Sequence, residues 1–431
     1  MPQPRSFRLG AAIPAAGILL LIYLFYIRSH IANPDVNISV REHFNDDEDP
    51  TVFEPPVASV RHSVIRGDNV AWTNDENATW YSISRHSNRG ECWTYNDRFG
   101  AYQNLSPAMS AAISAAVSGN NNVNKSNRAV ILRMGSNQQW GPQFTLHARA
   151  LVLEAGYLAK YDVVILTHLD MDDGAKATWM QRVPEEFRPL VQTFSTKQVR
   201  EWLPRAAKFK SIFDQNHLVI QMFMAQNPKY EFAYSVEADA RLIGRWDVFL
   251  DDVDLEYAYH RKFKEPDQEM PAVPDLVTFE SPRRPSDAWP WLEKDCVKHF
   301  RGMDNIRASL GVVWGWSRRM TDEMTRLNEI GVNCYYEYFA PSTAYRQNLT
   351  TFFYQHPLYC PHTKPSERNS MTKEQMGKND PRGVQHEKVA VGCTYFFVNP
   401  HSQPFWEQWY RSPAACRPPA LVHPVKGNFF N

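Results

Sequence analysis

From Arg128 onward, short apolar runs alternate with amphipathic stretches, and this alternation constrains the fold more than any other feature of the chain. Ala129-Val-Ile-Leu-Arg-Met134 reads as a buried strand. After it, Phe144, Ala148, Leu151, Ala155 and Leu158 recur at i+4 and i+3 steps, one apolar face of a helix. Tyr161–Leu166 reads as a second strand, Phe213, Ile220, Phe223 and Met224 mark a second helix ended by Asn227-Pro228, and Phe232–Val236 is a third strand. Strands separated by helices cannot pair as hairpins. The crossovers make them parallel neighbours and lay the helices on the sheet's faces. The spacing predicts an α/β fold with a mixed, mainly parallel sheet flanked by helices. Ligands bind beyond the C-terminal ends of such strands. Function is therefore sought at Arg133, at His168–Asp173 and at Glu237–Arg241.

The second half is less regular. Leu276–Phe279 and Leu310–Trp316 read as strands, the latter with Trp314 and Trp316 on one face by alternation. Ser317 to Ile330 reads as an amphipathic helix closed by Gly331.

Ahead of this region, Leu9 to Ile27 runs nineteen residues without a charge. As a helix it spans about 28 Å, close to the thickness of a bilayer's hydrocarbon. The run exceeds the usual apolar region of a signal peptide, and His30-Ile31-Ala32 lacks the small residue expected at minus three from a cleavage site. Residues 9–27 are expected to be an uncleaved signal anchor, with 1–8 as a cytoplasmic tail. Residues 28–127 are expected to be a partly ordered lumenal stem, and 128–431 the main domain. The stem carries an acidic run at Asp46–Asp49, an Asn-rich stretch at 121–127, and an aromatic island (Trp72, Trp80, Trp93, Tyr95) expected to pack onto the main body. Asn37, Asn77, Asn124 and Asn348 head glycosylation acceptor triplets, and Asn104 heads a weaker one before Pro107. The cysteines (Cys92, Cys296, Cys334, Cys360, Cys393, Cys416) are even in number and show no C-x-x-C spacing. That argues against zinc ribbons and thioredoxin-like chemistry and fits disulfides in an oxidising lumen, with the pairing open. A type II membrane protein of the secretory pathway is the expectation.

Composition excludes other classes. Lysines and arginines (47) balance aspartates and glutamates (47), which argues against nucleic acid as the main partner, since a phosphate-binding face usually leaves a basic excess, and leaves only a local basic groove open. With 13 Trp, 19 Tyr and 24 Phe the chain has ample material for a core and is not broadly disordered.

The sharpest chemical feature is Glu237-Ala238-Asp239, two carboxylates just past a buried strand. Both can turn toward one divalent cation, and oxygen ligands suit Mn²⁺ or Mg²⁺, which in turn neutralise a diphosphate. Acidic residues after strands also serve as turn formers or helix caps, and that reading stands beside the metal one. Arg241 pairs with a carboxylate in the second reading and with phosphate in the first. Asp170-Met-Asp172 competes as a loop contacting a nucleoside or as a solvated turn, and Asp252-x-Asp254 reads as surface. Near the C-terminus, His423 can complete a metal shell and Lys426 can approach phosphate, or His423 is a surface histidine held by Pro424. Glu337 lies among Tyr335, Tyr336, Tyr338 and Phe339, where it serves either as a base raised by apolar surroundings or as a partner of a tyrosine hydroxyl. Trp314 and Trp316 read as core residues or as platforms for sugar rings. There is no G-x-S-x-G elbow, P-loop, G-x-G-x-x-G fingerprint or H-E-x-x-H helix.

The stretches AVILRMGSNQQW, YDVVILTHLD and NPKYEFAYSVEADARLIGRWDVFLD carry a resemblance to a family. So do DLVTFESP, ASLGVVWGWSRRM, YYEYFAPS and PPALVHPVKGN. Together they resemble a family of fungal proteins of unassigned function that look like Golgi glycosyltransferases, over about the last 300 residues. The resemblance implies a GT-A-like fold, with a nucleotide-binding first half and an acceptor-binding second half. It places the family's acidic motif, usually Glu-Met-Asp, on Glu237-Ala238-Asp239, where Asp-x-Asp holds Mn²⁺ and a nucleotide-sugar diphosphate in GT-A enzymes. His423 with Lys426 is similar to the late His-plus-Lys element of some of those enzymes.

On this basis the chain is expected to be a Golgi-membrane glycosyltransferase acting from a nucleotide-sugar donor onto a glycan or glycoprotein. Glu237, Asp239 and His423 are the expected metal ligands, with Arg133, Asp170, Arg241 and Lys426 at the donor and Glu337 as an acceptor-side base. A non-catalytic glycan- or partner-binding protein and a two-carboxylate glycoside hydrolase are the rival expectations.

Overall fold

A computed structural model describes residues 53–57, 80–83, 93–118, 127–206, 211–264, 270–285, 294–356, 358–361, 394–395 and 402–426. The expected anchor at 9–27, Trp72, and the acceptor triplets at Asn37, Asn77 and Asn124 lie outside the described residues. Among the described residues no helix is long and apolar enough to cross a membrane.

In chain order the strands are β1 (Trp80–Ile83), β2 (Arg128–Gly135), β3 (Asp162–His168), β4 (Val191–Phe194), β5 (Phe232–Glu237) and β6 (Arg241–Ile243). They continue with β7 (Leu276–Thr278), β8 (Val313–Ser317), β9 (Thr351–Phe353), β10 (Leu358–Pro361) and β11 (Ala420–Val422). The first helices are α1 (Tyr95–Gln103), α2 (Pro107–Ser118), α3 (Pro142–Leu151), α4 (Asp173–Arg182), α5 (Thr196–Trp202) and α6 (Asn216–Gln226). After them come α7 (Trp246–Tyr259), α8 (Lys294–His299), α9 (Arg318–Glu329), α10 (Tyr336–Arg346) and α11 (Ser402–Arg411).

The expected α/β architecture is present. A seven-stranded sheet runs in the order β4-β3-β2-β5-β8-β7-β9. Strands β4, β3, β2 and β5 are mutually parallel, β8 is antiparallel to both neighbours, and β9 is parallel to β7. Alternation along β2 sends Val130, Leu132 and Met134 into one apolar layer and Ala129 and Ile131 into the other. The sheet is thus buried on both faces, as parallel strands require. The chain passes from β2 outward to β3 and β4, then returns to place β5 on the other side of β2. The direction of winding reverses between β2 and β5, and a crevice opens at such a switch point.

Several local readings need refinement. The helix expected to span Phe144–Leu158 is α3 followed by a π-helix, Val152–Leu158, in which Ala159 N donates to Glu154 O at 2.9 Å. Spacing assigns Phe213 to the apolar face of a helix, but the residue lies in a 3-10 turn, Ile212–Gln215, and is 53% exposed. The turn arises because the Ser211 hydroxyl accepts from Phe213 N, so that α6 begins only at Asn216. Trp314 and Trp316 share one face as alternation predicts, with centroids 5.0 Å apart, and are core residues. Gly331 closes α9 at φ +87°, the left-handed conformation that a glycine adopts without strain.

Residues 93–118, within the expected stem, form α1 and α2 and enter the core. Arg98, fully buried, donates to Glu154 from Nη1 at 2.6 Å and from Nη2 at 2.8 Å. Tyr102 OH and Trp246 N donate to the same carboxylate at 2.7 and 2.9 Å. Burial pushes Glu154 upward in pKa against the pull of Arg98. On its other side α1 packs on α11, with Tyr95 edge-on to Trp409 at 5.3 Å and Trp409 Nε1 donating to Trp93 O at 3.0 Å. A disulfide joins Cys296 to Cys334, and Cys416 is also disulfide-bonded.

Candidate metal centre

Glu237 is the last residue of β5 and sits opposite Arg133 of β2 in the parallel register. Its backbone is held from both sides. Glu237 N donates to Val312 O at 2.9 Å, and Ala238 N donates to Arg133 O at 3.1 Å. Ala240 N then donates to Glu237 O, a tight turn that carries Asp239 back beside Glu237 and leads into β6.

The third residue arrives from the other end of the chain. Strand β11 pairs antiparallel with β6 through Ala420↔Ile243, Leu421↔Leu242 and Val422↔Arg241. His423, the next residue, is thereby delivered to the acidic turn. His423 N donates to Thr394 O, Ser402 Oγ donates to His423 O at 2.6 Å, and Val425 N donates to Asp239 O at 2.8 Å. His423 Nε2 stands 3.4 Å from Glu237 Oε2 and 3.4 Å from Asp239 Oδ1. Ligand atoms of the three residues lie within 4.8 Å of one another.

Neighbouring ligands at about 2.1 Å from a small divalent cation sit about 3 Å apart, so this trio fits such an ion with little adjustment. Two carboxylate oxygens and one imidazole nitrogen suit Mn²⁺ or Mg²⁺ and give no thiolate for softer metals. Burial would raise the Asp239 pKa, but His423, then Lys426 and Arg241, outweigh it and hold the carboxyl well below the usual range. Burial would likewise lower His423, but Asp239 and then Glu237 outweigh it and raise the imidazole.

The two carboxylates open onto a cavity of about 620 Å³ at the C-terminal ends of β2, β3, β4 and β5. Lys426, 72% exposed, places Nζ 3.6 Å from Asp239 Oδ2, while its backbone N donates to Gln403 Oε1 at 2.7 Å. Arg133 also lines the cavity, 3.3 Å from Glu237 Oε1, and its Nη2 donates to Gly311 O at 2.7 Å. Arg241 sits at the cavity's base, where its guanidinium donates to the carbonyls of Ala238 and Ala240 rather than to a carboxylate. Burial lowers its pKa to about 10, so it stays charged at neutral pH.

Two expected site residues lie elsewhere. Asp170 lines an adjoining cavity and is engaged locally, accepting from Thr196 N at 2.7 Å and from the Thr196 hydroxyl, with His168 Nε2 at 3.1 Å. Glu337, 2% exposed on α10, is not among the residues that line the cavity. Its Oε1 accepts from Gly311 N at 3.2 Å, while Glu280 accepts from Leu310 N at 2.6 Å. The 309–312 segment is thus fixed by two buried carboxylates on its amides and by Arg133 on its carbonyl. A Cβ on Gly311 would fall 2.2 Å from Cε2 of Tyr336. Gly311→Ala is expected to cost about 1–3 kcal/mol through overpacking, read by denaturant unfolding. Sequence reading misses Gly311 and Gln403, and also Gly135, Asn137, Phe213 and Asn216, which line the cavity. The β6 and β11 triplets that bring the centre together are too short for periodicity to mark.

No curated protein matches the chain. The segment from residue 53 to residue 265, which holds the parallel half of the sheet with Arg133, Glu237 and Asp239, matches the family described as protein of unknown function, DUF3405.

Proposed function

We propose that this chain is a metal-dependent glycosyltransferase of GT-A type that moves a sugar from a nucleotide-sugar donor to a glycan or glycoprotein. The observation that carries the reading is the convergence of Glu237, Asp239 and His423 on one point at the switch of a parallel sheet, open to a cavity of about 620 Å³. A divalent cation, Mn²⁺ or Mg²⁺, would supply neutralisation of the charge that develops on a leaving diphosphate. Glu237, Asp239 and His423 would hold it, and Arg133 keeps Glu237 turned toward the cavity. Lys426, mostly exposed at the rim, meets diphosphate oxygens there. The buried Cys296–Cys334 disulfide and the exposed Asn348 at the head of its acceptor triplet fit a body that folds in an oxidising lumen. A type II Golgi-membrane protein held by residues 9–27 is the location proposed.

Thermal-shift screening of the full-length protein with nucleoside diphosphates and nucleotide sugars, each with and without Mn²⁺, tests the reading. One nucleotide class is expected to raise Tm only in the presence of Mn²⁺, because a ligand that binds only the native state stabilises it. If no nucleotide does so, the cluster is self-neutralised by His423 and Lys426, and the protein is a non-catalytic binder.

A further inference from the structure

Phe213 is an apolar ring held where water reaches it. The 3-10 turn capped by Ser211 points it away from Ile220, Phe223 and Met224 and into the cavity wall, with 53% of its surface exposed. Its ring stands edge-on to His168, centroids 6.0 Å apart at 87°, and His168 in turn leans on Phe194 at 5.3 Å. Beneath it, β2 ends in Gly135. A Cβ there would come within 3.3 Å of Phe213 Cζ and 2.7 Å of Asn137 Oδ1, so the ring edge rests on the bare glycine and any side chain would push Phe213 and Asn137 out of place. The amide side chains of Asn137 and Asn216 line the same cavity, and the carboxylates of Glu237 and Asp239 line its other end. One enclosure therefore joins an aromatic face seated on a glycine, and amides that both donate and accept, to an anion-and-cation centre.

We infer that the exposed face of Phe213, whose ring edge is seated on Gly135, forms the wall of a stacking slot for the planar heterocycle of a nucleotide, with Asn137 and Asn216 addressing its polar edge. The inference rests on the reading of the metal centre given above and adds to it the residues that recognise the base. An aromatic face accepts any base, so selectivity among bases falls to the amides. The ligand class is a nucleoside diphosphate, with its heterocycle at Phe213 and its phosphates at Lys426 and the acidic trio.

The test compares full-length wild type, Phe213→Ala, Phe213→Trp and Gly135→Ala by calorimetric titration in the presence of Mn²⁺. The probes are inorganic pyrophosphate and the 5′-diphosphates of adenosine, guanosine, cytidine and uridine. For the best nucleoside diphosphate, Phe213→Ala is expected to weaken binding about 10- to 100-fold while pyrophosphate binding stays unchanged. Phe213→Trp is expected to restore the affinity, and Gly135→Ala to weaken the nucleotide selectively. Circular dichroism and Tm identify any variant that has lost its fold, and Phe213→Trp then decides alone. Wild type that binds pyrophosphate as tightly as every nucleoside diphosphate overturns the slot and leaves the metal centre standing. So does a Phe213→Ala protein whose nucleotide and pyrophosphate affinities fall together. Wild type that binds neither probe overturns the metal centre, and the slot with it.

Discussion

Arg98→Ala is expected to destabilise the folded protein by about 3–5 kcal/mol, the cost of stranding a buried charge by removing its partner. Glu154 is fully buried and accepts two of its four hydrogen bonds from Arg98. Without the guanidinium, only Tyr102 OH and Trp246 N remain to offset a carboxylate out of water. The group then either keeps its charge at great cost or takes up a proton that its present partners are not arranged to accept. The paired replacement Arg98→Met with Glu154→Gln is expected to recover part of the loss, since it removes the buried charge and keeps an amide oxygen to accept from Tyr102 OH or Trp246 N. Denaturant unfolding with an unchanged m-value measures both. A loss below about 1 kcal/mol in the single variant would mean that α1 detaches without disturbing the rest.

Arg98 comes from α1, Glu154 from the π-helix after α3, and Trp246 from the start of α7. One carboxylate thereby ties residues ahead of the sheet to two helices that flank it. Helix α1 also packs on α11, whose Ser402 holds the His423 carbonyl. A truncation beginning at Arg128 would remove the base on which the C-terminal segment, and hence His423, is seated.

The parts visible in the sequence are those set by local periodicity. The apolar runs at Ala129–Met134, Tyr161–Leu166 and Phe232–Val236 are buried on both faces of the sheet, so their composition alone marks them as central parallel strands. Glu237 and Asp239 are legible for the same reason, because a strand end in such a sheet is where ligands meet the protein. His423 is legible only as a residue type. Its place depends on β6 and β11, two short strands far apart in the chain that pair Arg241–Ile243 with Ala420–Val422, and no local pattern announces that pairing. Phe213 misleads because its spacing to Ile220 and Phe223 matches a helix face, while a single serine hydroxyl at Ser211 turns it outward. Glu337 stands out in the sequence through its aromatic surroundings, which prove to be walls of the core, with the carboxylate turned to the Gly311 amide.

Under the proposed glycosyltransferase reading, Asp239→Asn is expected to abolish Mn²⁺-dependent nucleotide binding and sugar transfer while leaving the fold intact. Asparagine keeps the shape of the side chain and one carbonyl oxygen, so the turn from β5 to β6 and the Val425 N to Asp239 O bond persist. What is lost is the charge. Asp239 faces His423 at 3.4 Å and Lys426 at 3.6 Å, and both lean on its carboxylate; His423 gives up any second ring proton when it ligates a cation. A neutral amide there leaves Glu237 as the sole anion of the trio, and removal of one charged ligand from a small site weakens a hard cation sharply. Glu237→Gln is expected to weaken Mn²⁺ in the same direction and in addition to release Arg133, which then rests on the carbonyls of Gly311 and Val312. Mn²⁺ affinity by titration, Tm without metal and donor-dependent transfer separate these effects. Full activity and unchanged Mn²⁺ affinity in Asp239→Asn would remove the metal assignment. A fall in Tm without metal and no change in Mn²⁺ response would mark the trio as a structural ion pair network.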